Sequence, residues 1–418
     1  MLKPLGLIAS LLLMATSGSA QLLGSPRDGL NPLPAGVPRL LDQADDLIDR
    51  AGLDRLSPRA LTRQLEAARL TRIADLIRRH RADIELDDRR QPARRGTILL
   101  TGADDATVAA LRNAGYGVTA ERIEGLDLPV IILAVPTGRP LATALQEVRR
   151  LAPGAEASAD NLYLSSGTVT GMAAPLAHGV SVGDGAAGLI DGGVARHPAF
   201  TGAIEQRGFA RGAPRATAHG TAVASLISGS GTIRGAAPGA PLLVADIYGD
   251  DPAGGGAFAI ARALGWMASR RAPVVTMSLV GPDNPLLAGA IRLARERGVT
   301  IVAAVGNDGP AAPLAYPASY PGVLAVSGVN GRNRLLPEAG RAARVDFVAP
   351  AADMNAAAPA GGRVAVRGTS FAAPLVAGRL FALGGRAKLE AEAQDLGDKG
   401  PDSRYGHGLL CGTCRNKY

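Results

Sequence analysis

Aromatic residues are scarce. The 418-residue chain has one Trp, seven Tyr and six Phe, 3% in all. Its core must be filled by Ala, Val, Leu and Ile, and it has no aromatic platform on which bases could stack. Cysteine is almost absent: Cys411 and Cys414, in "CGTC", are the only two. That excludes a disulfide-dense scaffold. For an exported chain the pair reads as a local disulfide or as idle thiols. His407 lies close enough in sequence to suggest three metal ligands, but a stable zinc site takes a fourth; redox catalysis is the weaker reading still. No apolar run after the first twenty residues is long enough to cross a bilayer. Long basic blocks are also missing. Lys and Arg outnumber Asp and Glu by 45 to 37, a net charge of +8, yet the arginines are scattered. Solvated surface, not nucleic acid, is the expected use of that charge.

What is present is 47% hydrophobic residue, 54 Gly and 29 Pro, on a chain long enough for more than one domain. The first twenty residues, MLKPLGLIASLLLMATSGSA, combine Lys3, a short apolar run and a small-residue end at Gly18-Ser19-Ala20. This is the pattern of a secretory signal peptide. No Cys follows it, so a lipid anchor is not expected; the mature protein is expected to be soluble, secreted or periplasmic. Residues 21–95 carry apolar residues at helical spacing among dense charge, and predict short amphipathic helices ending in an Arg-rich tail, "DDRRQPARRG". From Gly96 to about residue 170 the order is strand, helix, strand, strand, helix, strand, closing on "ADNLYLSS". That order fits a small α+β module of the split βαβ, ferredoxin-like kind.

From Gly179 to about Leu410, apolar strands alternate with helices. "GAAGLID", "APLLVADIY", "APVVTMSLV", "GVTIVAAVGN" and "GVLAVSGVN" read as buried strands. The expected fold is α/β, a mostly parallel doubly wound sheet with helices on both faces. Reacting groups in such sheets collect where strands end, and three motifs lie there. Asp191 ends "GAAGLID", His219 opens the helix "AHGTAVASLISG", and Ser370 opens the helix in "VRGTSFAAPLVAG". Each alone has an ordinary structural use: a turn, a helix start, a cap. Together they provide a hydroxyl nucleophile, a base near neutral pKa and a carboxylate to hold that base. Asn307, in "AAVGNDG", adds a candidate donor for a developing oxyanion, although Gly-Asn-Asp-Gly is also turn chemistry.

The order Asp191, His219, Asn307, Ser370 and the words around them resemble the subtilisin-like serine proteases over roughly residues 179–410. "LIDGGV", "HGTAVASLISG" and "RGTSFAAPLVAG" resemble that family's aspartate, histidine and serine motifs, and "VTMSLVG" and "VAAVGNDG" its substrate-pocket and oxyanion segments. The resemblance implies an Asp-His-Ser triad, with Asn307 and the Ser370 N–H as oxyanion donors. It implies polypeptide substrates clamped between Gly254-Gly255-Gly256 and Ser278-Leu279-Val280-Gly281, with Val305 and Gly306 near the primary pocket. Val280 and Val305 stand where the family commonly has glycine and alanine. Both add bulk, so small or medium apolar side chains are expected before the cut. Ala222 replaces a histidine common in relatives that is no part of the triad. The module at 96–170 resembles the family's propeptide, an intramolecular chaperone and inhibitor whose C-terminal tail occupies the active site until cleaved, and self-cleavage is expected between about Ser165 and Val182. The resemblance places no counterpart for residues 21–95. No cofactor is expected. Calcium sites are frequent in the family, but Asp250-Asp251 is too little for one, and calcium stays open.

Other readings compete. An α/β-hydrolase would carry G-x-S-x-G and the order Ser, acid, His; here Ser370 comes last, in "GTSFA". A silent exported binding scaffold of the same fold, and a dedicated processing protease with a single substrate, both remain open at this point.

Overall fold

A computed structural model describes residues 57–167, 174–177 and 179–416. The expected signal peptide, the first part of the helical region and part of the expected processing segment lie outside the described residues. The chain opens with α1 (Pro58–Arg79), capped by Ser57 with Pro58 at its first position, where the missing N–H costs nothing. A hairpin of β1 (Ile84–Leu86) and β2 (Pro92–Thr101) follows. Then come α2 (Asp105–Asn113), β3 (Gly117–Ile123), β4 (Leu128–Ala134), α3 (Leu141–Leu151) and β5 (Glu156–Asn161). The strands form one antiparallel sheet, β1-β2-β4-β3, with β5 also on β2. Asp104 caps α2 by accepting from Thr107 N at 2.8 Å. Helices α2 and α3 cover one face through Leu111, Leu141, Leu145 and Val148, packed on Ile98, Leu100 and Leu133.

The helical expectation therefore fails at 84–95. The "DDRRQPARRG" stretch is not a tail but a turn and the start of β2. Asp87 makes the turn: its Oδ1 accepts from Arg89 N and Gln91 N, and its Oδ2 from Asn161 Nδ2. These bonds fold the chain back, and Pro92–Arg94 pair with β1. The antiparallel sheet thus starts at Ile84, ahead of Gly96.

After the two-residue strand β6 (Leu164–Ser165), the larger part of the chain holds a seven-stranded parallel sheet. Its elements are β7 (Ala187–Asp191), β8 (Ile204–Gly208), α4 (Ala218–Ser228), β9 (Leu242–Asp246), α5 (Ala257–Ser269), β10 (Val274–Met277), the short β11 (Leu279–Val280), α6 (Pro285–Glu296), β12 (Thr300–Ala304), β13 (Leu324–Val329) and β14 (Phe347–Pro350). A two-stranded ribbon, β15 (Met354–Ala357) and β16 (Arg363–Val366), precedes α7 (Ala372–Leu383) and α8 (Arg386–Glu392). The sheet order is β14-β13-β12-β10-β7-β9-β8, with every pairing parallel. Side chains alternate between two cores, as the period of two requires. Ile190, Ala245, Val275 and Ile301 face α5 and α6; Leu189, Val244, Val302 and Val326 face α4 and α7. Strands buried on both faces read as unbroken apolar runs, and that is why five of the seven were visible in the sequence.

The antiparallel sheet sits against this body through its other face, where Leu99, Ile123 and Val130 join the core of α5 and α6, and through β5. Asp160 accepts from Phe258 N, in the first turn of α5, at 3.0 Å. Asn284 caps α6 and also donates to Ala159 O and Asn161 Oδ1. Arg94 joins Asp160 and Asp251 across the contact. Burial raises the Asp160 carboxyl above its ordinary value, opposed by the Phe258 N–H and by Arg94. Cys411 and Cys414 form a disulfide, with Cα atoms 5.1 Å apart. The ring of His407 stacks on Phe347 and its Nε2 lies 3.5 Å from Glu390. Among the described residues no group of three or more His, Cys, Asp or Glu is placed to hold a metal ion, and no helix is long and apolar enough to cross a membrane.

Candidate active site

Asp191 is the last residue of β7 and His219 the second of α4. Thr217 caps α4, its Oγ1 accepting from Gly220 N at 3.0 Å, and this fixes where His219 emerges. His219 Nδ1 lies 2.9 Å from both carboxylate oxygens of Asp191. Gly192 N also donates to Asp191 Oδ1, at 2.7 Å. The carboxylate is 1% exposed and the imidazole 7%, so their contact is shielded from water. A carboxylate on Nδ1 leaves Nε2 as the basic nitrogen. Nε2 is buried and has no hydrogen-bond partner.

Ser370 lies in the 3-10 turn Thr369–Phe371 that leads into α7, two residues before the α-helix that it was expected to open. Its Oγ is 2.8 Å from Ser166 Oγ and 3.4 Å from Ser278 O. Ser278 Oγ donates to Ser370 O. Ser370 and His219 thus lie on adjoining elements without a hydrogen bond between them: the hydroxyl is turned toward Ser166. The ring of His219 lies 5.6 Å from that of Phe371, the next residue. Asn307 follows β12 and joins the same turn. Its Oδ1 accepts from Thr369 N at 2.9 Å, and Thr369 Oγ1 donates to Gly306 O. That bond orients the amide, leaving its NH2 on the side of Gly368, where a Cβ would fall 2.6 Å from Nδ2.

A piece of the chain itself fills the cleft. Leu162 to Gly167 runs extended between two edges. On one side Leu162 bridges Gly256, and Tyr163 N donates to Gly255 O at 2.8 Å. On the other, β6 pairs antiparallel with β11, Ser165 opposite Leu279 and Leu164 opposite Val280, and Ser166 N donates to Ser278 O. The decisive contact comes next: Ser370 N donates to the carbonyl oxygen of Ser166, at 3.2 Å. Glycine is required where the edges meet Tyr163. A Cβ on Gly281 would fall 2.5 Å from the Tyr163 ring, and one on Gly255, at φ +81°, 2.4 Å from Tyr163 O.

The residues expected to act on a peptide meet here. Asp191, His219, Asn307 and Ser370 form the centre; Gly254–Gly256 and Ser278–Gly281 form the two edges. Val280, Val305, Gly306 and Asn307 line a cavity of about 300 Å³ that opens beside Ser166. The family resemblance implied a propeptide tail in the active site; what sequence reasoning missed is where that tail begins. It read "ADNLYLSS" as one strand, but β5 ends at Asn161 and the following residues leave the antiparallel sheet for the cleft. The signal was there in part: Tyr163 is a lone aromatic before a Ser-Ser-Gly turn to small residues. The Tyr163 ring is fully buried, and its hydroxyl donates to Pro282 O at 2.6 Å. Tyr248 OH donates to Tyr163 O.

A carboxylate on an imidazole, a hydroxyl beside it and a peptide carbonyl at the hydroxyl's own N–H are the constellation of a serine peptidase. Comparison with known proteins gives the family. Residues 186–408 match the subtilase family, and the chain belongs to it. It is 32% identical over 223 residues to Subtilisin BL of Lederbergia lenta, covering 50% of this chain and 80% of that protein. It is 31% identical over 239 residues to the minor extracellular protease Epr of Bacillus subtilis (strain 168), covering 53% of this chain but only 37% of that protein. Among solved structures, fervidolysin from Fervidobacterium pennivorans aligns with a TM-score of 0.61 at 20% identity, over 77% of this chain and 60% of its own. That likeness concerns the fold.

Proposed function

We propose that the chain is an exported serine endopeptidase made as a self-processing zymogen, and that its first substrate is its own Ser166–Gly167 bond. One observation carries this: the Ser166 carbonyl oxygen accepts from Ser370 N while the residues before it pair with both edges of the cleft. This is how a scissile carbonyl is presented. The reaction begins when the Ser370 hydroxyl turns from Ser166 Oγ to His219 Nε2, which takes its proton. Oγ attacks the Ser166 carbonyl carbon. The Ser370 N–H and the Asn307 amide hold the oxyanion. The bond to Gly167 breaks as His219 returns the proton to the Gly167 nitrogen, leaving an ester of Ser370 with Ser166. A water molecule, deprotonated by His219, then cleaves that ester and restores the hydroxyl. Asp191 holds Nδ1 and stabilises the imidazolium between these steps. Each step uses only groups of the chain and water.

The antiparallel module from Ile84 to Asn161 is then a propeptide, and its cut tail is an intramolecular inhibitor. Export is supported by the signal-peptide pattern of residues 1–20, and a relative is named as extracellular. Substrates are extended polypeptides, with small or medium apolar side chains favoured before the cut because Val280 and Val305 narrow the primary pocket. A peptide-library profile dominated by Phe, Tyr or Arg at that position overturns this preference. The main test is intact mass over time for the purified chain beside Ser370→Ala. The expected outcome is a core starting at Gly167 from the wild type and an unprocessed variant. Processing of the variant to the same size removes self-cleavage. A wild type that stays full length and does not label with a fluorophosphonate at Ser370 favours a silent scaffold.

A further inference from the structure

The main core of the antiparallel module is built without α1: Ile98, Leu111, Leu133 and Leu145 form it with no α1 residue. The buried side of α1 goes elsewhere. Leu65, Arg69, Arg72, Ile73 and Leu76 lie four, seven, eight and eleven positions along, one face of a helix. Leu65, 3% exposed, packs on Gly309, where a Cβ would come within 2.7 Å of its Cδ1. Arg69 and Arg72 both reach the carboxylate of Asp308, the residue after Asn307. Ile73 joins the wall of the cavity beside Ser166. Leu76 closes a cluster with Ile84, with Leu162 and Leu164 of the cleft segment, and with Ala253 of the peptidase body. Helix α1 therefore touches both sides of the cleft and the tail that lies in it.

We propose that α1 is a strap that keeps the cut tail seated, so that cleavage of Ser166–Gly167 alone does not release activity. This rests on the processing reading above. Cleavage frees the tail's carboxyl end but leaves α1, the module and the tail as one covalent fragment. The strap adds to that fragment an ionic latch on Asp308, in the wall of the cavity beside Ser166, and an apolar anchor on Gly309. The pairs are partly shielded, with both arginines 18% exposed and Asp308 25%, so they are worth more than surface pairs and are still weakened by salt.

The test uses the full chain carrying Arg69→Ala and Arg72→Ala, beside wild type and the single Arg72→Lys. Intact mass gives the cleavage rate; hydrolysis of an added peptide gives the lag from cleavage to activity. In the double variant, cleavage and final activity are expected to match wild type, with a lag about tenfold shorter at low salt. Arg72→Lys, which keeps the charge, should stay near wild type. Rising salt should shorten the wild-type lag and leave the double variant's almost unchanged. Normal cleavage with an unchanged lag in the double variant overturns the strap. Absence of cleavage in the wild type overturns the processing reading instead, and the strap with it.

Discussion

Gly167→Val puts the register of the cleft segment to the test. The Cβ it introduces would lie 2.8 Å from Phe371 Cε2, 3.1 Å from Ser370 Cβ and 3.2 Å from Phe371 Cζ. Ordinary carbon contacts lie at about 3.5–4.0 Å. Alanine alone thus demands a shift of about 0.7 Å, and the branched valine more than that. Phe371 cannot give way freely. It is fully buried, and its ring lies 5.6 Å from that of His219, so moving it displaces the base. The tail must move instead, carrying the Ser166 carbonyl away from Ser370 N. A misplacement of about 1 Å at a reacting centre costs about a hundredfold in rate. The expected order is therefore a modest slowing for Gly167→Ala, on the order of tenfold, and about a hundredfold for Gly167→Val. The assay is intact mass against time, with Ser370→Ala as the floor. Cleavage of the valine variant at the wild-type rate and position would mean that the seated tail is not the reacting pose. Cleavage of wild type at a neighbouring bond would mean that the register is wrong.

Three further outcomes follow from the same geometry. Asn307→Ala should slow self-cleavage by about 10²–10³, the usual loss for one oxyanion donor; an unchanged first-order rate would leave the amide only its structural bond to Thr369 N. Tyr163→Ala should lower the stability of the unprocessed chain by about 3–5 kcal/mol, since it empties a fully buried aromatic site, whereas Tyr163→Phe should lose only about 1 kcal/mol for the hydroxyl; chemical denaturation of both in the Ser370→Ala background separates them, and equal losses would contradict the ring's packing. The third concerns Glu205, which accepts from Val182 N and pairs with Arg270. The Arg270 hydrogen bond is the first cause holding the Glu205 carboxyl below its ordinary 4.5. A carboxyl lowered in the folded state stabilises above pH 4.5 and loses that contribution as pH falls through the lowered value. Arg270→Ala should therefore destabilise the chain at neutral pH and flatten this part of its acid sensitivity; parallel pH curves for the two proteins would refute the linkage.

Asp191, His219 and Ser370 were legible in the sequence because Asp191 ends a buried strand, His219 and Ser370 stand where a turn passes into a helix, and chemistry requires the three types together. The buried strands were legible because parallel strands covered on both faces are apolar throughout. Strands β8 and β14 were not: "IEQRG" is polar at its sheet-edge positions, and "FVAP" is short and ends in proline. Nor could pattern alone show where β5 ends. Residues 156–165 keep an extended backbone throughout, and only the partners change, from β2 at Asn161 to Gly255 and β11 at Tyr163 and Ser165. Pairing partners are non-local, so no local spacing records the switch. Arg69 and Arg72 were hidden for a related reason. On a helix rich in arginine they look like any solvated pair, and only the fold brings Asp308 beneath them.

The cleft contacts also bear on how cleavage and activity are related on the proposed reading. The bonds that present the Ser166 carbonyl are backbone bonds to residues on the amino side of the cut: Tyr163 N donates to Gly255 O, Ser166 N to Ser278 O, and Ser370 N to Ser166 O. Hydrolysis breaks the link to Gly167 and leaves every one of these bonds able to persist. The product of the first turnover is therefore also its inhibitor, and it gains no strain from being cut. What must change for the cleft to open is the docking of the whole fragment: β5 on the starts of α5 and α6, Tyr163 in its slot, and α1 on Asp308. Those contacts lie outside the reacting atoms, so they can be tuned without altering catalysis. A chain that cuts itself quickly and becomes active slowly is the behaviour this division of labour produces. The interval between the two events measures the docking, whereas the first event alone measures the chemistry.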